Sequence, residues 1–157
     1  MNDASMILDL DAIRHLTGLE TMQAIVDGSL PPAPIATTMN FWMVSVGDGE
    51  AVFEGAPGPA FRNPTGAIHG GWYGAIMDSV LGVAVHTKMG AGQAYTTLEY
   101  KVNITRAIPV GMQVRAIGTT SHVGRSTAVA EAKLIGVEDG RLYATASTTC
   151  MVFAPNP

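Results

Sequence analysis

The stretch NPTGAIHGGWYGAIMD, residues 63–78, carries no charged side chain until it ends on Asp78. A carboxylate in so apolar a run is costly to bury alone, so it is functional, paired, or on a wet helix face. Asp78 follows His69 by nine positions, and His69 is followed by Gly70 and Gly71. Helical spacing predicts a helix that begins at these glycines. The first N–H groups of a helix have no internal partner and sit at the positive end of its dipole. Glycine there lets a carbonyl come close, which would make an oxyanion site. The same glycines would also relieve crowding where a loop enters a packed helix. Gly70 and Asp78 are eight residues apart, or ~12 Å along a helix axis. One small reacting group cannot touch both on one helix. If both act, they come from two copies related by a dimer axis, and the site lies between subunits.

Other site chemistries have no matching pattern. No G-x-S-x-G, G-x-x-x-x-G-K-[ST] or G-x-G-x-x-G occurs, which argues against a nucleophile elbow, a P-loop and a dinucleotide-binding turn. His15, His69, His86 and His122 lack ligand spacing with one another or with Cys150, so no metal site is expected.

The elements that must position these residues follow from periodicity. Ile7, Leu10, Ile13, Leu16, Leu19, Met22 and Ile25 recur at helical spacing, predicting one helix over 7–28 that Gly18 weakens and Gly28 ends. Pro31, Pro32 and Pro34 predict an extended linker. Alternation then predicts strands at 38–46 and 50–56 around Gly47-Asp48-Gly49. The helix over 69–88, with Trp72, Ile76, Val80 and Val83, is apolar or small all round, so both faces should be buried. Four long β-branched-rich strands follow at 94–108, 113–124, 126–139 and 141–154, with Asp139-Gly140 marking a hairpin. One buried helix beside a mainly antiparallel sheet points to a sheet wrapped about that helix, with an exposed edge that dimerisation would cover. The chain of 157 residues shows no repeat and no second domain.

Composition narrows the class. Apolar residues make up 47% and charged residues 14%, a balance that hints at surface buried against another copy. A net charge of −4 without a basic block argues against nucleic-acid binding, which depends on phosphate neutralisation. A single cysteine, Cys150, allows no internal disulfide and suits a reducing compartment. Neither a signal peptide nor a membrane span is expected, so the reading is a cytoplasmic protein without a membrane partner.

Asn63, His69-Gly70-Gly71 six residues on, and Asp78 nine after His69 resemble the hotdog-fold acyl-CoA thioesterases of the phenylacetic-acid-degradation (PaaI-like) branch. The resemblance runs over 38–154 and includes TTLEYKVNITRAIPVG. It implies an α+β hotdog fold: a long central helix wrapped by a mainly antiparallel sheet of about six strands. The reading is one domain over 1–157, with the core at 38–154 and an extra N-terminal helix and linker at 1–34. The chemistry implied is hydrolysis of acyl-CoA, with coenzyme A part of the substrate and no other cofactor, in a homodimer or homotetramer. Carried over by position, the Gly70 or Gly71 N–H would polarise the thioester carbonyl, and Asp78 of the partner subunit would be general base or nucleophile. Asn63 and His69 would hold the thioester and water. Thr97, with Thr96 as runner-up, would orient the water. Trp72 would line an acyl pocket or belong to the core. The polyanionic coenzyme would need local cations; Arg62, Lys88, Lys101, Arg106 and Arg125 are candidates, and the Gly124-Arg125 turn is favoured. Arg106-Ala107-Ile108-Pro109 departs from many relatives, in which the proline comes earlier. His69 has a plainer role open to it, fixing the helix entry through a loop bond. The helix at 7–28 lies outside the shared core and would cap the dimer or cover the acyl pocket.

Two other functions fit the same residues. A hotdog dehydratase or hydratase would need a His–carboxylate pair; nine residues place His69 and Asp78 on opposite faces of one helix, which leaves a pair formed across two subunits. A non-catalytic acyl-CoA-binding module would need neither Asp78 nor the glycine pair.

Overall fold

Alternation at period two becomes a six-stranded sheet, and helical spacing becomes the helix it wraps. The computed structural model describes residues 7–154. The strands are β1 (Phe41–Gly47), β2 (Glu50–Gly55), β3 (Ala94–Ile104), β4 (Val114–Val123), β5 (Thr127–Gly136) and β6 (Leu142–Phe153). Their order across the sheet is β1-β2-β4-β5-β6-β3, and every pairing is antiparallel. Two-residue connection at Asp48-Gly49 closes the first hairpin, where Gly47 faces Glu50. The strand after the helix, β3, therefore lies at the far edge, bonded only to β6.

The central helix runs from Gly70 to His86. Its predicted all-round apolarity has the expected consequence: Ile76, Met77, Val80, Leu81, Ala84 and Val85 are fully buried, each large side chain contributing about 1.5–3 kcal/mol relative to exposure. Trp72 and Tyr73 enter the same core. The helix packs against every strand of the sheet.

The N-terminal region differs from the single helix and linker predicted. It holds three short helices, α1 (Leu10–Ile13), α2 (Gly18–Val26) and α3 (Pro34–Met39); the central helix is α4. The break before α2 has a local cause. Thr17 caps α2 by accepting from the Glu20 N–H at 3.2 Å, while the Glu20 carboxylate accepts from the Thr17 N–H at 2.8 Å, a reciprocal start signal. Gly18 thus opens a helix rather than weakening one. Pro34 begins α3 at a position where its missing N–H costs nothing, and Asn40 ends it in the left-handed conformation, φ 56°, so β1 starts at Phe41 rather than 38. The first six residues of the predicted 1–34 extension and the last three of the chain lie outside the described residues.

Candidate active site

Helix α4 presents Gly70, Gly74, Asp78, Gly82 and His86 at four-residue spacing, one turn apart along one side. Edge strand β3 lies against that side, running the opposite way. Ile104 is beside Gly70, Tyr100 beside Gly74 and Tyr95 beside Gly82. A Cβ at Gly74 would lie 3.1 Å from the Tyr100 hydroxyl, and one at Gly82 would collide with the Tyr95 hydroxyl. The glycines let the strand close on the helix, and the one carboxylate in the series meets Thr97, whose hydroxyl donates to Asp78 Oδ1 at 3.1 Å.

A bulge makes this alignment possible. The β3–β6 register shifts between Thr97 and Glu99, which skips Leu98 and changes which residues face the helix. Tyr95 and Thr97 face α4 before the bulge, Tyr100 and Ile104 after it. Thr96 is exposed, and alternation turns it to the opposite face from Thr97. Of the two threonines, only Thr97 reaches Asp78.

At the other end of the series, His69 is the N-cap of α4, and its Nδ1 accepts the Gly71 N–H at 2.8 Å. A neutral ring in this bond carries its proton on Nε2. The Gly71 N–H is thereby engaged, whereas no hydrogen bond among the described residues uses the Gly70 N–H. Gly70 is the free donor at the helix terminus, and it is exposed. Asn63 shapes the loop before it: its Oδ1 accepts from the Thr65 N–H, the Thr65 hydroxyl and the Ala67 N–H at 3.0, 2.7 and 3.2 Å. The Arg62–Ile68 bridge and the His69 N–H to Phe61 carbonyl bond, 2.8 Å, fold that loop back onto the helix start.

The remaining predicted residues are elsewhere. Trp72 is 1% exposed, and its Nε1–H donates to the Met39 carbonyl at 2.7 Å. It packs in the core and carries no open face for a ligand; an indole needs a buried acceptor, and α3 supplies it. Gly124 and Arg125 lie in the β4–β5 turn, with Arg125 exposed. Thr127 pairs with Met151, which pairs with Thr96, so the turn is two strand spacings, ~10 Å, from β3. Lys88 is held by Asp48 at 2.8 Å, and Arg62 Nε donates to the Pro59 carbonyl at 3.1 Å. Lys101, Arg106 and Arg125 are exposed without a side-chain ion pair among the described residues.

The structure adds a cavity that the sequence did not announce. It has a volume of about 560 Å³ and lies between residues 7–36 and the α4 face that carries Asp78. Asp78, Ser79 and Thr97 line it with His86 and Tyr95. The His86 and Tyr95 rings are 5.6 Å apart. Burial lowers the His86 pKa below its ordinary value, and burial pushes the Tyr95 phenol up, so both favour their neutral forms. The four-residue series ending at His86 was present in the sequence as a signal. Its partner tyrosines were not, since only the β3 bulge brings them to one side.

The fold, a long helix packed on a six-stranded antiparallel sheet, is that of a hotdog protein. The thioesterase superfamily model matches residues 65–143, and the chain belongs to that superfamily. Among solved structures, a conserved protein of Pseudomonas aeruginosa is 30% identical, over 78% of this chain and 95% of its own, with a TM-score of 0.72. A phenylacetic acid degradation-related protein of Ralstonia eutropha JMP134, described as a candidate thioesterase, is 27% identical over 82% and 97%, TM-score 0.75. A hypothetical thioesterase of Streptococcus pneumoniae TIGR4, crystallised with coenzyme A, is 24% identical over 75% and 89%, TM-score 0.67, and shares the fold. A search of curated proteins found no match. Among the described residues, no helix is long and apolar enough to cross a membrane.

Proposed function

We propose that the protein hydrolyses acyl-CoA thioesters to the free acid and coenzyme A. The observation that carries this reading is the half-buried Asp78 carboxylate, held by Thr97 and opening on an apolar cavity, in a chain of the thioesterase superfamily. Coenzyme A as the thiol is supported by its presence in the pneumococcal neighbour. The Gly70 N–H of one protomer polarises the thioester carbonyl, and its strength there comes from an unpaired donor at the positive end of a 17-residue helix. Asp78 of the other protomer takes the proton of the attacking water, or attacks as a nucleophile itself. Water oxygen ends on the acyl carbon, the C–S bond breaks, and the thiolate of coenzyme A takes up a proton. Thr97 holds the carboxylate in position. His69 and Asn63 set the helix start, and the free His69 Nε2–H and Asn63 amide are donors for the thioester or water.

The dimer follows from the ~12 Å between Gly70 and Asp78 on one helix. It is supported by the open edge of β3, where Leu98, Tyr100 and Ile104 are 58%, 45% and 49% exposed, an unpaired strand that another copy would cover. A homodimer is the smallest complete enzyme, and a tetramer of two dimers is compatible with it. Residues 1–157 are read as one domain and the compartment as the cytoplasm, in keeping with the lone, buried Cys150. Arg125, with Gly124, is the favoured contact for the coenzyme's phosphates.

Product analysis tests the reading. Incubation with acyl-CoAs should release free thiol and carboxylic acid. A changed double bond with the thioester intact would indicate the hydratase reading instead, and binding without turnover a carrier or regulatory module.

A further inference from the structure

The cavity beside Asp78 is built mostly by a segment outside the superfamily match, which begins at residue 65. Leu10 and Ile13 of α1, Met22 and Ile25 of α2, and the Pro31–Pro34 stretch form one wall. Phe41, Met43, Phe53 and Val83 form the other. We propose that residues 7–36 are the roof of the acyl site, and that this roof selects uncharged acyl groups of medium length. The proposal rests on the thioesterase reading for what reacts at Asp78, but the binding of the acyl chain is independent of turnover.

Three observations give the occupant its chemistry. The polar groups of the wall are few. The Ser79 hydroxyl donates to the Ala75 carbonyl at 2.8 Å and the Thr21 hydroxyl to the Thr17 carbonyl at 2.9 Å. This leaves Asp78 with Thr97 where a thioester would be attacked, and the His86 ring and Tyr95 phenol farther along the cavity. Among the described residues no lysine or arginine lines the cavity, so an acyl group with a second carboxylate would enter unpaired beside Asp78. The cavity extends along α4 from Asp78 to His86, two helical turns or ~12 Å. An extended chain advances roughly 1.2 Å per bond, so about ten bonds fit that length.

The roof is fastened rather than draped. The Gly18 N–H donates to the Met89 carbonyl at 2.9 Å, and a Cβ at position 18 would run into the His86 carbonyl oxygen. Only glycine lets the start of α2 seat against the end of α4. The same contact seats α2 at the end of α4 where His86 lines the cavity.

The test uses the full-length protein and acetyl-, hexanoyl-, octanoyl- and succinyl-CoA, read by thiol release and by calorimetric binding. Wild type should gain up to about fourfold in kcat/KM per added methylene to octanoyl, and should disfavour succinyl-CoA. Ile25→Trp, which fills the cavity from α2, should cut octanoyl turnover and binding at least tenfold while acetyl turnover changes less than threefold. Should Ile25→Trp not fold, Ile25→Ala enlarges the cavity and should move the preference to longer chains. An unchanged chain-length ranking in the folded variant overturns the proposal. So does an Ile25→Trp protein that turns monomeric with its ranking unchanged, since the cavity then receives a second copy. Chain-length-dependent binding by a wild type that releases no thiol would keep the roof and remove the hydrolase.

Discussion

The Thr97 hydroxyl donates to Asp78 Oδ1 at 3.1 Å across the seam between edge strand β3 and central helix α4. The bond ties the only carboxylate of the helix to the strand that a second copy would pair with. Hydrogen bonds to charged groups contribute about 1.5–3 kcal/mol. Thr97→Val is therefore expected to lower kcat roughly 10- to 100-fold with little change in KM, and Thr97→Ser to recover most of it. Steady-state kinetics on the three proteins, with circular dichroism to check folding, decides this.

His69 is expected to matter for stability apart from chemistry. Its Nδ1 satisfies the Gly71 N–H as the cap of α4, and loss of a cap costs about 1 kcal/mol. His69→Ala should lose that amount in urea denaturation. His69→Asp, which can also cap, should regain it without regaining any activity that needs the Nε2–H.

The close approach of β3 to α4 depends on glycine. Gly82→Ala would press its methyl group against the Tyr95 hydroxyl, an overpacking expected to cost about 1–3 kcal/mol. Removing that hydroxyl in Gly82→Ala/Tyr95→Phe should recover part of the loss. A double-mutant cycle by chemical denaturation measures the coupling, and additive losses would place the strain elsewhere.

Acid should weaken the wild type through His86. Burial holds its folded-state pKa below the ordinary 6.5, so the unfolded chain takes up a proton first. Its contribution is full above that value and is lost as pH falls through 6.5 toward the lowered folded pKa. The difference in unfolding free energy between wild type and His86→Gln should be flat above neutrality and shift against the wild type as pH falls below about 6.5. A difference that stays flat as the solution is acidified below pH 6.5 would contradict it.

Much of the architecture was legible because burial leaves a period in the residues. The six strands and α4 came within a few residues of their observed ends, since alternation and all-round apolarity report directly on what each face meets. The spacing from Asn63 through His69 to Asp78 likewise named the residues that cluster at the helix start and on its strand-facing side. Residues 7–28 misled because Ile7 to Ile25 share a helical period through Leu16 and Thr17, where a capping box restarts the chain. The choice between Thr96 and Thr97 needed the face each strand residue takes, which the structure shows and composition does not. Trp72 suits the core better than a pocket by its type alone, and its bond to the Met39 carbonyl shows which of the two it takes. The cavity was beyond periodicity altogether, because it forms between segments far apart in the chain.

The most direct measurement of the central claim is thiol release from acyl-CoAs by wild type and Asp78→Asn side by side, both checked for folding and oligomeric state. Turnover by the wild type and a loss of at least a thousandfold in the variant, with octanoyl-CoA still bound, is the expected result. A folded Asp78→Asn that hydrolyses as fast as the wild type would contradict it.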